Sequence, residues 1–273
     1  MTYKTILVHL DQNPRRAERL RVGFELAERF DAHLVGLFAI GAAYIPSFAV
    51  AEAGPVVQEI ERRNRREAAA AAEAEFRRAE RRAPAKSEWR VSPDEVTPAV
   101  RLSARYADLV ILGQPEPQQR LERVTVEDIV LSAGRPVLLL PYAGRFPGRF
   151  KRVMVAWNAS RESARAVTDA LPLLQASDAV EVVAFEPQRG DHGEVPGADL
   201  SLYLARHGVK ATAARQTAPD LDIGSQILSR AADMDANLIV MGAYGHSRLR
   251  ELALGGATRS LLDAMTVPVL MAH

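Results

Sequence analysis

The chain of 273 residues contains no cysteine. That removes disulfides, thiolate nucleophiles and Cys-zinc sites together, and it accords with a reducing cytoplasm. Charge of either sign is barely in excess: 35 Lys and Arg oppose 34 Asp and Glu, for a net +1. Bulk attraction to nucleic acid or to an anionic membrane is therefore not expected. No basic segment and apolar core precede a cleavage site, so no signal peptide is read. One uncharged stretch, Leu34 to Ala51, is long enough to test as a membrane span, but Gly36, Gly41, Pro46 and Ser47 interrupt it. It reads instead as a buried strand, Leu34 to Ile40, followed by an apolar loop over 41–51. Tyr44, Ile45, Phe48 and Val50 predict that this loop packs on the protein or on a partner. Catalytic signatures are equally scarce. There is no His-Glu-x-x-His metal pattern, no Gly-x-Ser-x-Gly elbow and no Gly-Lys-Ser/Thr after a glycine loop.

What the chain does contain is itself, twice. Tyr3-Lys-Thr-Ile-Leu-Val-His-Leu-Asp11 matches Phe150-Lys-Arg-Val-Met-Val-Ala-Trp-Asn158. Ala107-Asp-Leu-Val-Ile-Leu-Gly113 matches Ala236-Asn-Leu-Ile-Val-Met-Gly242, and Arg135-Pro-Val-Leu-Leu-Leu140 matches Val267-Pro-Val-Leu-Met271. Three matched segments in one order argue for duplication. The Gly/Pro-containing stretch Ala143 to Arg149 separates the copies, giving domains 1–143 and 149–273. In the first copy the patterns predict strands at 4–10, 33–39, 87–91, 108–112 and 136–140, with helices at 14–30, 55–83, 95–106 and 122–133. In the second they predict strands at 151–157, 179–185, 209–215, 237–241 and 268–272, with helices at 161–175, 197–207, 222–234 and 256–264. Continuous apolar runs such as Leu238 to Met241 suit strands buried on both faces. The alternation predicts an α/β fold: two tandem doubly wound domains, each a five-stranded, mainly parallel sheet with helices on both faces. Ligands of such sheets sit beyond the carboxyl ends of the strands, between the first and fourth, where Asn158 and Gly242 fall.

The long Ala-rich helix over 55–83 carries an apolar stripe of Val56, Ile60, Ala72, Phe76 and Ala79. Its many arginines are offset by Glu59–Arg63, Glu61–Arg65 and Glu73–Arg77 pairs at i,i+4, so the helix reads as solvated rather than as a nucleic-acid surface.

The most informative segment is 242–256, Gly-Ala-Tyr-Gly-His-Ser-Arg-Leu-Arg-Glu-Leu-Ala-Leu-Gly-Gly. Glycines at Gly242, Gly245, Gly255 and Gly256 allow backbone N–H groups to converge on an anion, and the helix starting near Gly256 adds its positive end. A phosphate-bearing ligand is the chemistry this suits; a tight turn is the bland alternative. His246 reads as a solvated loop histidine. Arg248, Arg250 and Arg259 suit either phosphate neutralisation or surface ion pairs. Asp11 and Asn158 suit a ligand or a helix cap, and Trp157 points away from Asn158.

A first strand ending in Asp or Asn, a doubled α/β unit and Gly-x2-Gly-x9-Gly together resemble the universal stress protein family in its tandem form. The resemblance implies ATP or another adenine nucleotide in the C-terminal domain, with Mg²⁺ as the companion of a triphosphate. It assigns Gly242, Gly245 and Gly255 to ribose and phosphates, Ala156 and Asn158 to the adenine end, and Phe185 to the wall beside the base. Where the family places a hydroxyl residue after the last glycine, this chain has Gly256, with Thr258 two positions on. Asn158 replaces the charged acid. The first copy keeps Asp11, but Gly113 is followed by Gln114-Pro-Glu-Pro117. Gly113 to Pro136 spans 23 positions against 26 from Gly242 to Pro268. Proline has no N–H to offer a phosphate and Glu116 repels one, so the first copy is expected to bind no nucleotide in this manner.

The resemblance further implies a cytoplasmic stress-response protein that signals through an unidentified protein partner. It implies that 136–140 and 268–271 pair within the chain as an internal pseudo-dimer, and it leaves a homodimer of whole chains open. No membrane span and no nucleic-acid partner are expected. A scaffold that binds no nucleotide and a weak ATPase are the alternatives.

Overall fold

The computed structural model describes residues 2–41, 47–116, 120–185, 195–244 and 256–273. The first half runs β1 (Thr5–Leu10), α1 (Arg16–Phe30), β2 (His33–Ala39), α2 (Ser47–Glu80), β3 (Ser87–Ser92), α3 (Val96–Ala104), β4 (Leu109–Gly113), α4 (Arg120–Ser132) and β5 (Val137–Leu140). The second runs β6 (Arg152–Trp157), α5 (Arg161–Gln175), β7 (Ala179–Phe185), α6 (Ala198–Arg206), β8 (Ala211–Gln216), α7 (Ile223–Asp233), β9 (Leu238–Gly242), α8 (Gly256–Ala264) and β10 (Val269–Ala272). Every strand lies where the apolar runs predict it.

The expected pair of five-stranded sheets is one sheet of ten, in the order β3-β2-β1-β4-β5-β10-β9-β6-β7-β8. Neighbours within each half are parallel, and β5 and β10 join antiparallel, with Leu138 opposite Leu270. The reason lies in those two strands. Val137 to Leu140 and Val269 to Ala272 are buried throughout. As edges they would expose both apolar faces and a row of unpaired backbone groups, so each covers the other. The expected meeting of 136–140 with 268–271 is this pairing. The true edges are less apolar: β3 reads Ser-Glu-Trp-Arg-Val-Ser and β8 reads Ala-Thr-Ala-Ala-Arg-Gln.

Two apolar layers flank the sheet and run unbroken across the junction. One packs α1, α2, α5 and α6 through Leu20, Phe24, Phe76, Val167 and Leu204, and takes Leu138 and Leu270 from the junction strands. The other packs α3, α4, α7 and α8 through Val100, Ile129, Ile227 and Leu261, and takes Leu139 and Met271. Alternate residues of a pleated strand supply opposite layers.

The predicted loop over 41–51 needs correction. α2 starts at Ser47 and runs through Pro55, so 47–51 are helical; residues 42–46 lie outside the described residues. The predicted stripe on α2 also divides. Ala72 and Phe76 are fully buried, and Phe76 packs onto Gly36, where an added Cβ would lie 2.6 Å from its ring. Val56 and Ile60 are exposed, at 64% and 54%. Arginine pairing on α2 follows the expected style with altered partners. Arg77 meets both Glu73 and Glu80, Arg63 meets Glu67, and Arg62 takes Glu59.

Candidate functional site

β6 and β9 are parallel neighbours, with Ala156 opposite Met241. In the order β10-β9-β6-β7-β8, chain connections leave β6 and β9 in opposite directions, which opens a crevice at their carboxyl ends. Asn158 follows β6 directly. Its Oδ1 accepts from the Ser160 N–H at 3.2 Å and from the Ser160 hydroxyl at 2.7 Å, with Ala159 between them in the left-handed region at φ 55°. Ser160 in turn caps α5 by accepting from the Ser163 N–H at 3.1 Å. The Asn158 acceptor is therefore spent on its own turn.

Gly242 ends β9. An added Cβ would lie 2.6 Å from the Glu162 carbonyl carbon and 2.9 Å from its Cβ, and closer still to the Ser163 nitrogen. The glycine lets the first turn of α5 seat directly on the strand end. Glu162 is itself buried, and its carboxylate pairs with Arg161. Burial pushes its pKa up, but the Arg161 hydrogen bond and charge hold it below the usual glutamate value. Two residues on, Tyr244 is left-handed at φ 58°. That conformation costs an aromatic residue about 1–2 kcal/mol. Neither Glu162 nor Tyr244 is legible as a site residue from sequence.

α8 begins at Gly256, where a Cβ would meet nothing within 4 Å among the described residues. Thr258, in the first turn, is buried at 3% exposure. α8 rests on α7 at Gly224, where a Cβ would meet the Ser260 Cβ at 2.5 Å and the Ala257 carbonyl at 3.0 Å. Asp222 caps α7 by accepting from the Ser225 N–H at 3.1 Å. Hydrogen bonds from Ser225 and Ser260 hold the Asp222 carboxyl below its usual pKa, so this one residue ties both helix starts together.

Ala156 and Phe185 both belong to the layer under α7 and α8, as do Met241, Ala243 and the partly buried Tyr244. Trp157 packs into the opposite layer, as strand alternation predicts. Gly245, Gly255, His246, Arg248 and Arg250 lie outside the described residues. Arg259 is exposed.

The matching corner of the first half is filled. Asp11 accepts from the Asn13 N–H at 2.9 Å, the same turn that Asn158 makes with Ser160. It also pairs with Arg19, whose buried guanidinium occupies the space that a Cβ on Gly113 would need. Gln114 is buried. Its N–H donates to the Leu140 carbonyl at 2.7 Å, its amide donates to the Leu262 carbonyl in α8 at 2.8 Å, and its Oε1 accepts from the Tyr142 N–H at 3.1 Å. Glu116 accepts from the Asn13 amide at 3.2 Å. Where Ala156 leaves room in β6, β1 carries His9, buried, its pKa pushed down to about 4 chiefly by burial.

A cavity of about 550 Å³ remains in the first half beyond the ends of β1 and β2. Phe38 and Val96 give it apolar wall, and Gln12, Asn64, Arg65, Glu95 and Thr97 give it polar groups. Among the described residues, no cluster of three or more His, Asp or Glu forms a metal site, and no helix is long and apolar enough to cross a membrane.

Residues 149–273 match the model of the Universal stress protein family. A universal stress protein from Archaeoglobus fulgidus superposes with a TM-score of 0.69 at 15% identity, over 98% of this chain and 95% of that one. A putative universal stress protein from Pseudomonas aeruginosa gives 0.56 at 15% identity, over 99% and 93%. The cytoplasmic domain of a prokaryotic cation chloride cotransporter gives 0.52 at 11% identity, over 98% and 94%. At these identities the likeness is one of fold. A comparison with curated proteins gives no match.

Proposed function

We propose, from the match of residues 149–273 to the model of the Universal stress protein family, that the chain is a tandem stress-response protein. Its two units are 1–143 and 149–273. It binds ATP or a related adenine nucleotide at the ends of β6 and β9 and signals through a partner protein. The observation that carries this reading is the contrast between the two corners. At the head of α8, no described residue lies within 4 Å of a Cβ on Gly256, while the corresponding first-half corner holds Arg19, Gln114 and Glu116. A helix N-terminus favours an anion. Phe185 and Ala156 supply the apolar wall for a base, and Thr258 contributes through the backbone of the first helical turn.

A second reading is a scaffold that binds no nucleotide. It draws support from three features of the same corner. Asn158 has its acceptor engaged, the first turn of α5 at Glu162 and Ser163 packs directly on Gly242, and Gly256 offers no hydroxyl.

Thermal unfolding of protein stripped of bound small molecules separates the two. Millimolar Mg·ATP raises the midpoint if the nucleotide reading holds, because a ligand that binds only the folded state stabilises it. Gly256→Ser supplies the hydroxyl and tightens binding by roughly tenfold, the worth of one hydrogen bond to a charged group. No shift for either protein leaves the scaffold reading standing.

A further inference from the structure

β3 ends the sheet, and among the described residues no strand pairs with its outer side. Which of its backbone groups face outward follows from its inner neighbour. The Leu34 N–H donates to the Lys86 carbonyl at 2.9 Å, and the Ile40 N–H donates to the Ser92 carbonyl at 2.8 Å. Alternate residues of a parallel ladder bond the same neighbour. Lys86, Glu88, Arg90 and Ser92 therefore turn their backbone to β2, while Ser87, Trp89 and Val91 turn their N–H and C=O groups outward. The edge is accessible: Val91 is 45% exposed, and the side chains of Glu88 and Arg90 are 39% and 49% exposed. Proteins blunt such an edge with proline or with charge. β3 has no proline, and its two charges are of opposite sign. They stand two residues apart on one face of the sheet and pair with each other.

We propose that β3 pairs antiparallel with β3 of a second copy of this chain, about a two-fold axis through Trp89. In that register Trp89 lies opposite the partner's Trp89, and the two exchange N–H to C=O bonds. Ser87 does the same with Val91 of the partner subunit, and Val91 with Ser87 of the partner subunit, so all three outward-facing residues are satisfied. Glu88 falls opposite the partner's Arg90, and Arg90 opposite the partner's Glu88. These are the closely spaced positions where cross-strand charge pairs act, so each charge exchanges a partner within its strand for one across the axis. Charge also chooses the register. An axis at Glu88 sets two glutamates face to face, and an axis at Arg90 sets two arginines face to face; like charges directly opposite destabilise. The other edge has no such self-complementarity, because β8 carries one charge, Arg215, and no acid to meet it. A two-fold axis perpendicular to the sheet is an isologous arrangement that keeps both copies of α2 on one face and both copies of α3 on the other. A contact built on a six-residue strand is smaller than a standard interface and fits a weak, concentration-dependent dimer.

The test is sedimentation equilibrium of the intact chain from micromolar to near-millimolar concentration, without nucleotide. A monomer–dimer equilibrium is expected. Glu88→Arg and Arg90→Glu each leave the edge with charges of one sign, and each variant alone is expected to dimerise at least roughly tenfold more weakly. Mixed together, the two variants are expected to form a heterodimer with about the native affinity, because every charge again meets its opposite. The chain carrying both substitutions is expected to dimerise like the native one for the same reason. Val91→Pro removes an outward N–H without touching a bond to β2, so it is expected to abolish dimerisation and to leave the far-UV circular dichroism unchanged. The proposal is overturned if the native chain stays monomeric at near-millimolar concentration. It is equally overturned if either single charge variant or Val91→Pro dimerises as well as the native chain, or if the mixed variants associate no better than each alone.

Discussion

Two glycines, one ending β9 and one starting α8, do opposite things. Gly242 is required by packing, since any Cβ would run into the backbone at Glu162 and Ser163. Gly242→Ala is expected to destabilise the chain by about 1–3 kcal/mol through overpacking. A Cβ on Gly256 meets no described residue, and Gly256→Ala is expected to stabilise by about 0.5 kcal/mol through the unfolded chain. Urea midpoints of the two variants check both signs. His9 is a second residue whose environment has a measurable consequence. Burial pushes its pKa from 6.5 down to about 4; Asp11 opposes that shift, and Arg19 adds to it. Between those values the unfolded chain holds a proton that the folded chain excludes. The contribution of His9 is whole above pH 6.5 and is lost as the pH falls toward 4, about 3 kcal/mol in all. Urea midpoints across that window are expected to fall with pH in the native chain and to fall less steeply in His9→Leu.

Among the elements, α2 is the one whose behaviour changes along its length. Its later turns are pinned where Phe76 enters between Phe24, Trp89 and Gly36, with ring centroids 5.6 Å and 5.5 Å from the two aromatics. Its earlier turns carry Val56 and Ile60 in solvent. Phe76→Ala is expected to cost about 3–5 kcal/mol, whereas Ile60→Ala should stay within about 0.5 kcal/mol. Thermal midpoints of the two variants decide it; equal losses would mean that the exposed turns are covered in solution. The sequence pattern alone assigned both residues to one stripe. Periodicity identifies a face of a helix, but it cannot say how far along the helix a neighbour extends.

For the molecule as a whole, β5 and β10 turn two halves into one sheet with two continuous layers. Gln114 adds a bond from the first half to the Leu262 carbonyl in α8. A chain limited to 149–273 would bare β10 from Val269 to Ala272, an apolar strand with unpaired backbone. That fragment is expected to self-associate, as light scattering would show, while Leu270→Lys keeps it monomeric. A monomeric fragment without that change would mean the junction strand is not the driving surface.

The sequence by itself determined the strands, the helices apart from the start of α2, and the order of elements. These depend on periodicity and apolar content, which are local and repeat in both copies. It also set the expectation that the segment after Gly113 binds no phosphate, because proline lacks the N–H and glutamate carries the wrong charge. Only tertiary structure decided that Gly242 serves the seating of α5, that Asn158 is committed to Ser160, and that Arg19 fills the space beside Gly113. Those facts depend on which residues distant in the chain are pressed together. Close packing fixes that choice, and no spacing along the chain records it.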